Sequence, residues 1–251
     1  MTQKLVLFFN SDLLNSPMTS GFAKLSVEFG LENTQELYRT LVERLLTESF
    51  PMDTSYQIIL ASDYDPDMLK SWLGSNWEVI ELGSVATKNQ FHHILNTVFD
   101  SPSVEKALIL RAGLLGVDED HIQKTFQKIE KHHLYFQLGT DDHLVTMGIH
   151  RDEMHIVENL DFGEEHLGDL ITVRAEHYGI ECLIQPPSLI PSSLEDLAAF
   201  RENLPKEHYI ATKIDQLILD SLAAKNLNEQ SMDRMRTMQI DLSAEEEIQE
   251  L

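Results

Sequence analysis

A chain of 251 residues is long enough for one large α/β domain or two small ones, and 42% hydrophobic against 24% charged residues allows a sizeable core. Its 19 Lys and Arg against 42 Asp and Glu give a formal charge of −23, a surface that repels nucleic acid and anionic membranes because binding to either needs clustered cations. No apolar run reaches the roughly 18 residues of a membrane span. The lone Cys182 excludes an intramolecular disulfide or a Cys-based metal cluster and is expected in the core. The start MTQKLVLFFN suits a first strand better than a leader, so the expected setting is cytoplasmic.

In chain order, Lys4–Phe9 is a continuous apolar run of buried-strand length. Residues 10–21, rich in Asn, Ser, Pro and Thr, read as a long loop. Asn33 with Glu36 has the form of a capping box, opening a helix whose Leu37, Tyr38, Leu41, Val42, Leu45 and Leu46 share one face. Tyr56–Ala61 reads as a strand, Asp65–Leu73 as a short helix and Trp77–Leu82 as a third strand. Phe91, Ile94, Leu95 and Val98 mark a helix, followed by the buried strand Ala107–Leu110 within KALILRAGLLGV. Ile122, Phe126 and Ile129 mark the next helix. His133–Leu138 and Leu144–Ile149 are strands, with Glu153–Val157 a candidate to pair with the second. A helix over Leu167–Tyr178 leads to the strand Glu181–Gln185, and another helix begins after Pro191.

Strands alternating with helices predict an α/β fold with a mainly parallel central sheet and helices on both faces, a Rossmann-like three-layer arrangement. After about Leu204 the pattern changes. Ile210, Ile214, Leu217, Ile218 and Leu222 form an amphipathic helix, and the polar end carries Glu245, Glu246, Glu247 and Glu250. The expected division is a domain over residues 1–204 and a helical extension with an acidic tail over 205–251. That extension either packs back on the domain or serves as a homodimer arm.

Five stretches carry a family resemblance: residues 10–25, Thr87–Gln90, Arg111–Val117, Thr140–Leu144 and Pro186–Leu197. In order and spacing they resemble a bacterial family of nucleotide-diphospho-sugar transferase-like proteins. Some of its members occur beside radical-SAM proteins, and some are named arsenosugar-pathway glycosyltransferases. The resemblance implies a glycosyltransferase-A-type fold that binds a nucleotide-sugar, usually with Mg²⁺ or Mn²⁺.

Each motif is altered. The family's opening loop K-x-P-x-x-G-x-x-K-T-R-L starts here at Asn10 and Ser11, with Ser11 in place of the first Lys, and closes as Phe22-Ala23-Lys24-Leu25, so only Lys24 keeps a cation. Lys24 is either a phosphate contact or a solvated surface lysine. The L-G-x-R step reads Thr87-Lys88-Asn89-Gln90; Lys88 supplies charge but not a planar fork. In the central G-S-D-x-P-x-L motif the Asp position is Gly113. Hard cations want carboxylate oxygens, so this loss predicts that the metal ligands are gone and no metal cofactor is used. Asp118 and Asp120, just downstream, suit the first turn of the following helix. The E-D-G-G-Y segment reads Thr140-Asp141-Asp142-His143-Leu144, either a turn or a polar site. After Pro186-Pro187, the acids of D-x-D-T-x-x-D-L become Ile190 and Ser192, while Ser193, Asp196 and Leu197 suit a helix start.

The remaining histidines carry weaker signals. His143, His150 and His155 are a candidate metal cluster by proximity in sequence alone. Three functional readings follow. The first is a family member without metal-dependent catalysis that binds a nucleotide-sugar or other small molecule, or acts as a scaffold. The second is a metal-independent glycosyl- or nucleotidyl-transferase with Asp141 as base and Lys24, Lys88 or Arg111 as phosphate clamps, Asn10, Ser11, Asp142 and His143 completing the site. The third is an oligomeric interaction protein.

Overall fold

The computed structural model describes residues 3–9, 23–114, 116–139, 143–160, 166–188, 191, 193–205, 207–221 and 223. Seven strands form one sheet: β1 (Gln3–Phe9), β2 (Gln57–Ser62), β3 (Val79–Glu81), β4 (Lys106–Arg111), β5 (His133–Gly139), β6 (Leu144–His150) and β7 (Glu181–Ser188). Their order is β3-β2-β1-β4-β6-β5-β7. Only β6 runs against its neighbours; β1 pairs in parallel with both β2 and β4, and β5 with β7. The chain leaves β1 for β2 on one side and returns to β4 on the other, so the topological switch point lies between β1 and β4.

The strand pleat sorts side chains to two cores. Leu5, Leu7 and Phe9 of β1 and Leu108 and Leu110 of β4 face one layer. There they meet α2 (Leu31–Glu48) and α5 (Glu119–Lys128), with α1 (Ala23–Phe29), α3 (Pro66–Leu73) and α7 (Leu194–Asn203) on the same side. Val6 and Phe8 of β1 and Ala107 and Ile109 of β4 face the opposite layer, built on α4 (Thr87–Phe99), α6 (Leu167–Tyr178) and the 3-10 turn Arg151–Val157. A final helix, α8, covers residues 209–221; its Ile210, Ile214 and Leu217 are buried in the first core. Lys213 pairs with Glu36 at 2.7 Å and Arg201 makes a two-pronged contact with Asp215, which tie α8 to α2 and α7. Among the described residues, no helix is long and apolar enough to cross a membrane.

The elements differ from expectation in four places. Asn33 does not cap α2. The helix starts at Leu31, after Gly30 at φ +89°, and Asn33 lies inside it, donating to the Phe29 carbonyl at 3.0 Å. Gly30 supplies the left-handed turn that separates α2 from the unanticipated α1, a conformation glycine adopts without strain. Glu153–Val157 adds no strand. β6 already has β4 on one side and β5 on the other, so no edge remains for it. The segment coils instead, with Arg151 donating to Glu105 O and Val104 O. β7 continues through Pro186 and Pro187, which is tolerated because it is an edge strand paired only with β5. Cys182 is half-buried rather than fully enclosed, and burial with the nearby Glu176 charge pushes its thiol up, away from nucleophilic chemistry.

Candidate functional site

Phe9, Arg111, Gly139 and His143 lie at one end of the sheet's strands. Phe8 pairs with Arg111 across β1 and β4, and antiparallel β6 begins beside the end of β4, with Leu110 opposite Thr146. In open α/β sheets this end is where ligands bind. The loop leaving β4 turns inward. Ala112 donates its N–H to Phe8 O at 2.8 Å, and Ala112, Leu114 and Val117 are buried in the core under α2. Gly113 has φ +92°, and a Cβ built there would lie 3.1 Å from Cε2 of the buried Tyr38 ring. Only glycine takes this backbone freely, and the ring fills the space a side chain would need.

The downstream acids serve the fold. Asp118 caps α5, accepting the His121 N–H at 2.8 Å, and Asp120 pairs with Lys124 in the first turn. Ser193 caps α7 by accepting the Asp196 N–H at 3.2 Å.

The sequence-derived site residues fall as follows. Asn10, Ser11, Asp141 and Asp142 lie outside the described residues. His143 stands just before β6 and accepts the Gly139 N–H on its carbonyl at 2.7 Å. Arg111 ends β4 and is partly exposed. Lys24 is exposed on α1 and faces Glu28 at 3.9 Å. Lys88 is exposed in the first turn of α4. The helix of Lys24 packs on one face of the sheet through Leu25 and Phe29, and that of Lys88 on the other through Phe91. The His143, His150 and His155 cluster does not form. His143 and His150 stand at opposite ends of β6, about 23 Å apart at the rise of a strand. His155 packs its ring edge-on against Tyr178 at 4.5 Å.

One cavity at this end was not anticipated. It measures about 340 Å³ and lies between the start of α5 and the ends of β5 and β7, lined by His121, Tyr135, Gln137, Gln185, Pro187 and Ser188 among others. The Nε2 of His121 is buried there and meets no hydrogen-bond partner. Burial holds this imidazole below its ordinary pKa, outweighing the opposing pull of Asp118. Gln137 is spent on structure, donating to Pro186 O at 2.8 Å. The cavity therefore offers an imidazole, an amide and a hydroxyl among tyrosine and proline surfaces, and none of those six groups is an acid or a lysine or arginine. The polar Gln137 and Gln185 inside apolar strands were the available signal.

No protein-family model and no curated protein matches the chain. Solved structures match its fold. A Desulfovibrio desulfuricans G20 protein, provisionally named a nucleotide-diphospho-sugar transferase, superposes with a TM-score of 0.72 at 15% identity, over 88% of this chain and 99% of that one. A nucleotidyl transferase from Methanothermobacter gives 0.52 at 9% identity, over 80% and 96%. A cytidylyltransferase from Leptospira borgpetersenii gives 0.50 at 11% identity, over 88% and 95%. The fold is the nucleotidyltransferase-like, glycosyltransferase-A type.

The Mg²⁺ or Mn²⁺ implied by the resemblance can be tested against this fold's own residues. The described part of the β4 loop does not fit such an ion. Gly113 offers no side-chain oxygen, its neighbours are apolar and buried, and Asp118 and Asp120 are engaged in α5. Among the described residues, no three His, Cys, Asp or Glu side chains come together as a metal site.

Proposed function

We propose that this protein is a divergent member of the bacterial nucleotide-diphospho-sugar transferase-like family, radical-SAM-associated and arsenosugar-pathway kin included, that has lost metal-dependent catalysis and acts by binding. The observation that carries this reading is Gly113: at the sheet's switch point, where the family pattern has an Asp, a left-handed glycine is packed against the Tyr38 ring. The ligand is a nucleotide-sugar or a related small molecule whose uncharged, hydroxyl-bearing part enters the cavity of His121, Gln185 and Ser188. The −23 charge disfavours nucleic acid as a partner. A single thiol and no disulfide suit a reducing cytoplasm.

Calorimetric titration with diphospho-sugars of each base, with and without Mg²⁺ or Mn²⁺, tests the reading. Expected are binding that does not change with metal, no sugar or nucleotide release, and weaker binding in Gln185→Ala. Metal-dependent binding with turnover, or no binding of any member of the panel, overturns it. Metal-independent turnover is the signature of the alternative, a transferase using Lys24, Lys88 or Arg111 as clamps. Homodimerisation is a separate expectation; because Ile210, Ile214 and Leu217 of α8 lie in this chain's own core, it would use the exposed face of that helix, and light scattering of the full chain reads it.

A further inference from the structure

A second cavity lies where the chain enters β2 and β3, away from the strand ends described above. It measures about 540 Å³ and is lined by Glu43, Leu46, Phe50, Met52, Trp72 and Trp77 among others, a size that suits a small organic ligand. Both tryptophans of the chain are in this wall. Phe50 stands edge-on to Trp77 with ring centroids 6.4 Å apart. Trp72 donates its Nε1–H to Glu43 Oε1 at 2.7 Å and Trp77 donates to Leu73 O at 2.9 Å. With both indole N–H groups bonded, the two rings have only carbon surface left to offer a ligand. Phe50 is 59% exposed and Met52 90%, so large apolar groups stand in water around this opening.

Among the described residues lining this cavity Glu43 is the one that carries charge, while Arg39, one turn earlier on α2, lines a neighbouring hollow against Trp72. Glu43 has one oxygen on Trp72, and among the described residues no Lys, Arg or His lies within ion-pair distance of it. Aromatic faces carry negative quadrupole potential, and a thioether is polarisable. A neutral apolar ligand seated here would desolvate the carboxylate without compensation. A second copy of the chain would bring another strongly acidic surface against this one. A cation with an apolar body satisfies the rings and the carboxylate together.

We propose that this cavity binds a small organic cation, an alkylated ammonium carrying an apolar group, through the aromatic wall of Phe50, Trp72 and Trp77 and the Glu43 carboxylate. Because both tryptophans line the site, intrinsic fluorescence of the full chain reports on it directly. The probes are benzyltrimethylammonium and its uncharged carbon isostere, neopentylbenzene. A saturable tryptophan change is expected, with the cation bound about tenfold more tightly than the isostere, in line with a desolvated cation–π contact. Glu43→Gln keeps an acceptor for Trp72 Nε1–H and removes the charge, so it weakens the cation about tenfold and leaves the isostere unchanged. Phe50→Ala, at an exposed position, weakens the cation several-fold and supplies the same test if the first variant does not fold. No saturable change, equal affinity for both probes, or a Glu43→Gln variant that binds the cation as tightly as the parent each overturn the proposal.

Discussion

Placing an acid at position 113 probes the central proposal about the site. Gly113→Asp places an L side chain at φ +92°, where left-handed backbone costs about 1–2 kcal/mol. The new Cβ lies 3.1 Å from Tyr38 Cε2 and 3.3 Å from Cδ2, and displacing a ring that is 1% exposed costs about 1–3 kcal/mol as overpacking. The sum is a destabilisation of about 2–5 kcal/mol, or a fall in melting temperature of roughly 5–15 °C for a chain of this size. Urea unfolding followed by far-UV dichroism measures it. Gly113→Ala carries both effects of the Cβ without the carboxylate, and so isolates them from the burial of a charge. The same Gly113→Asp protein is then assayed for Mg²⁺-dependent hydrolysis of diphospho-sugars, and none is expected, since the residue points into packed core. A variant within 0.5 kcal/mol of the parent, or one that gains metal-dependent turnover, refutes the reasoning.

Other perturbations test the packing and the cavity. His121 has a folded pKa below the unfolded value because burial disfavours its charged form. Its contribution to stability is therefore full above about pH 6.5 and is lost as pH falls through the folded pKa; His121→Gln should flatten that part of the stability–pH curve between pH 7.5 and 5. Ile214→Ala in α8 removes a fully buried side chain and should cost about 2–4 kcal/mol in urea unfolding, whereas a helix held only by a partner chain would leave a monomer unaffected. Gly148→Ala puts a Cβ 2.6 Å from Ile129 Cδ1 and should cost about 1–3 kcal/mol, with Ile129→Ala in the same chain relieving part of the loss in a double-mutant cycle.

The middle of the sheet was legible in the sequence because its strands are buried on both faces and read as unbroken apolar runs: Lys4–Phe9 and Ala107–Leu110 coincide with β1 and β4 to within a residue at each end. The helix starts were legible where a side chain caps, as at Asp65 and Ser193, and illegible where backbone does the work, as at Gly30. The extent of β7 was misread because Pro186-Pro187 usually ends a strand, and only the strand's place at the sheet edge, a property of topology, explains its continuation. At the site, a glycine at position 113, where the resembled pattern has an Asp, could be read from the chain. Tyr38 could not be read as the group that fills its place, because that contact joins α2 to the β4 loop across the fold. The His121 cavity was hidden for a similar reason: its polar groups come from α5, β5 and β7 and converge only when β7 takes its place beside β5.

What the β4 loop contributes to the core can be weighed energetically. A ligand-binding strand end keeps polar groups and open space at a place the fold could otherwise fill, and proteins give up stability to do so. Here Leu114 and Val117 are 1% and 3% exposed and pack into the same core as Leu108 and Leu110. Burial of two such side chains contributes about 3–6 kcal/mol before the entropy of ordering the loop is subtracted. That is a large part of the net stability of an ordinary domain, about 5–15 kcal/mol. A loop so committed to the core cannot swing to meet a diphosphate and its metal without losing that packing. Polar space at this end of the sheet lies instead between α5 and the ends of β5 and β7, in a cavity lined by His121, Gln137, Gln185 and Ser188 and, among the described residues, by no lysine or arginine. In the proposed binding mode the uncharged part of the ligand enters this cavity, and in a chain carrying −23 its phosphates are the part to be repelled. Raising the salt concentration screens that repulsion and should strengthen binding of a diphospho-sugar, the opposite of the trend for a cation-clamped phosphate.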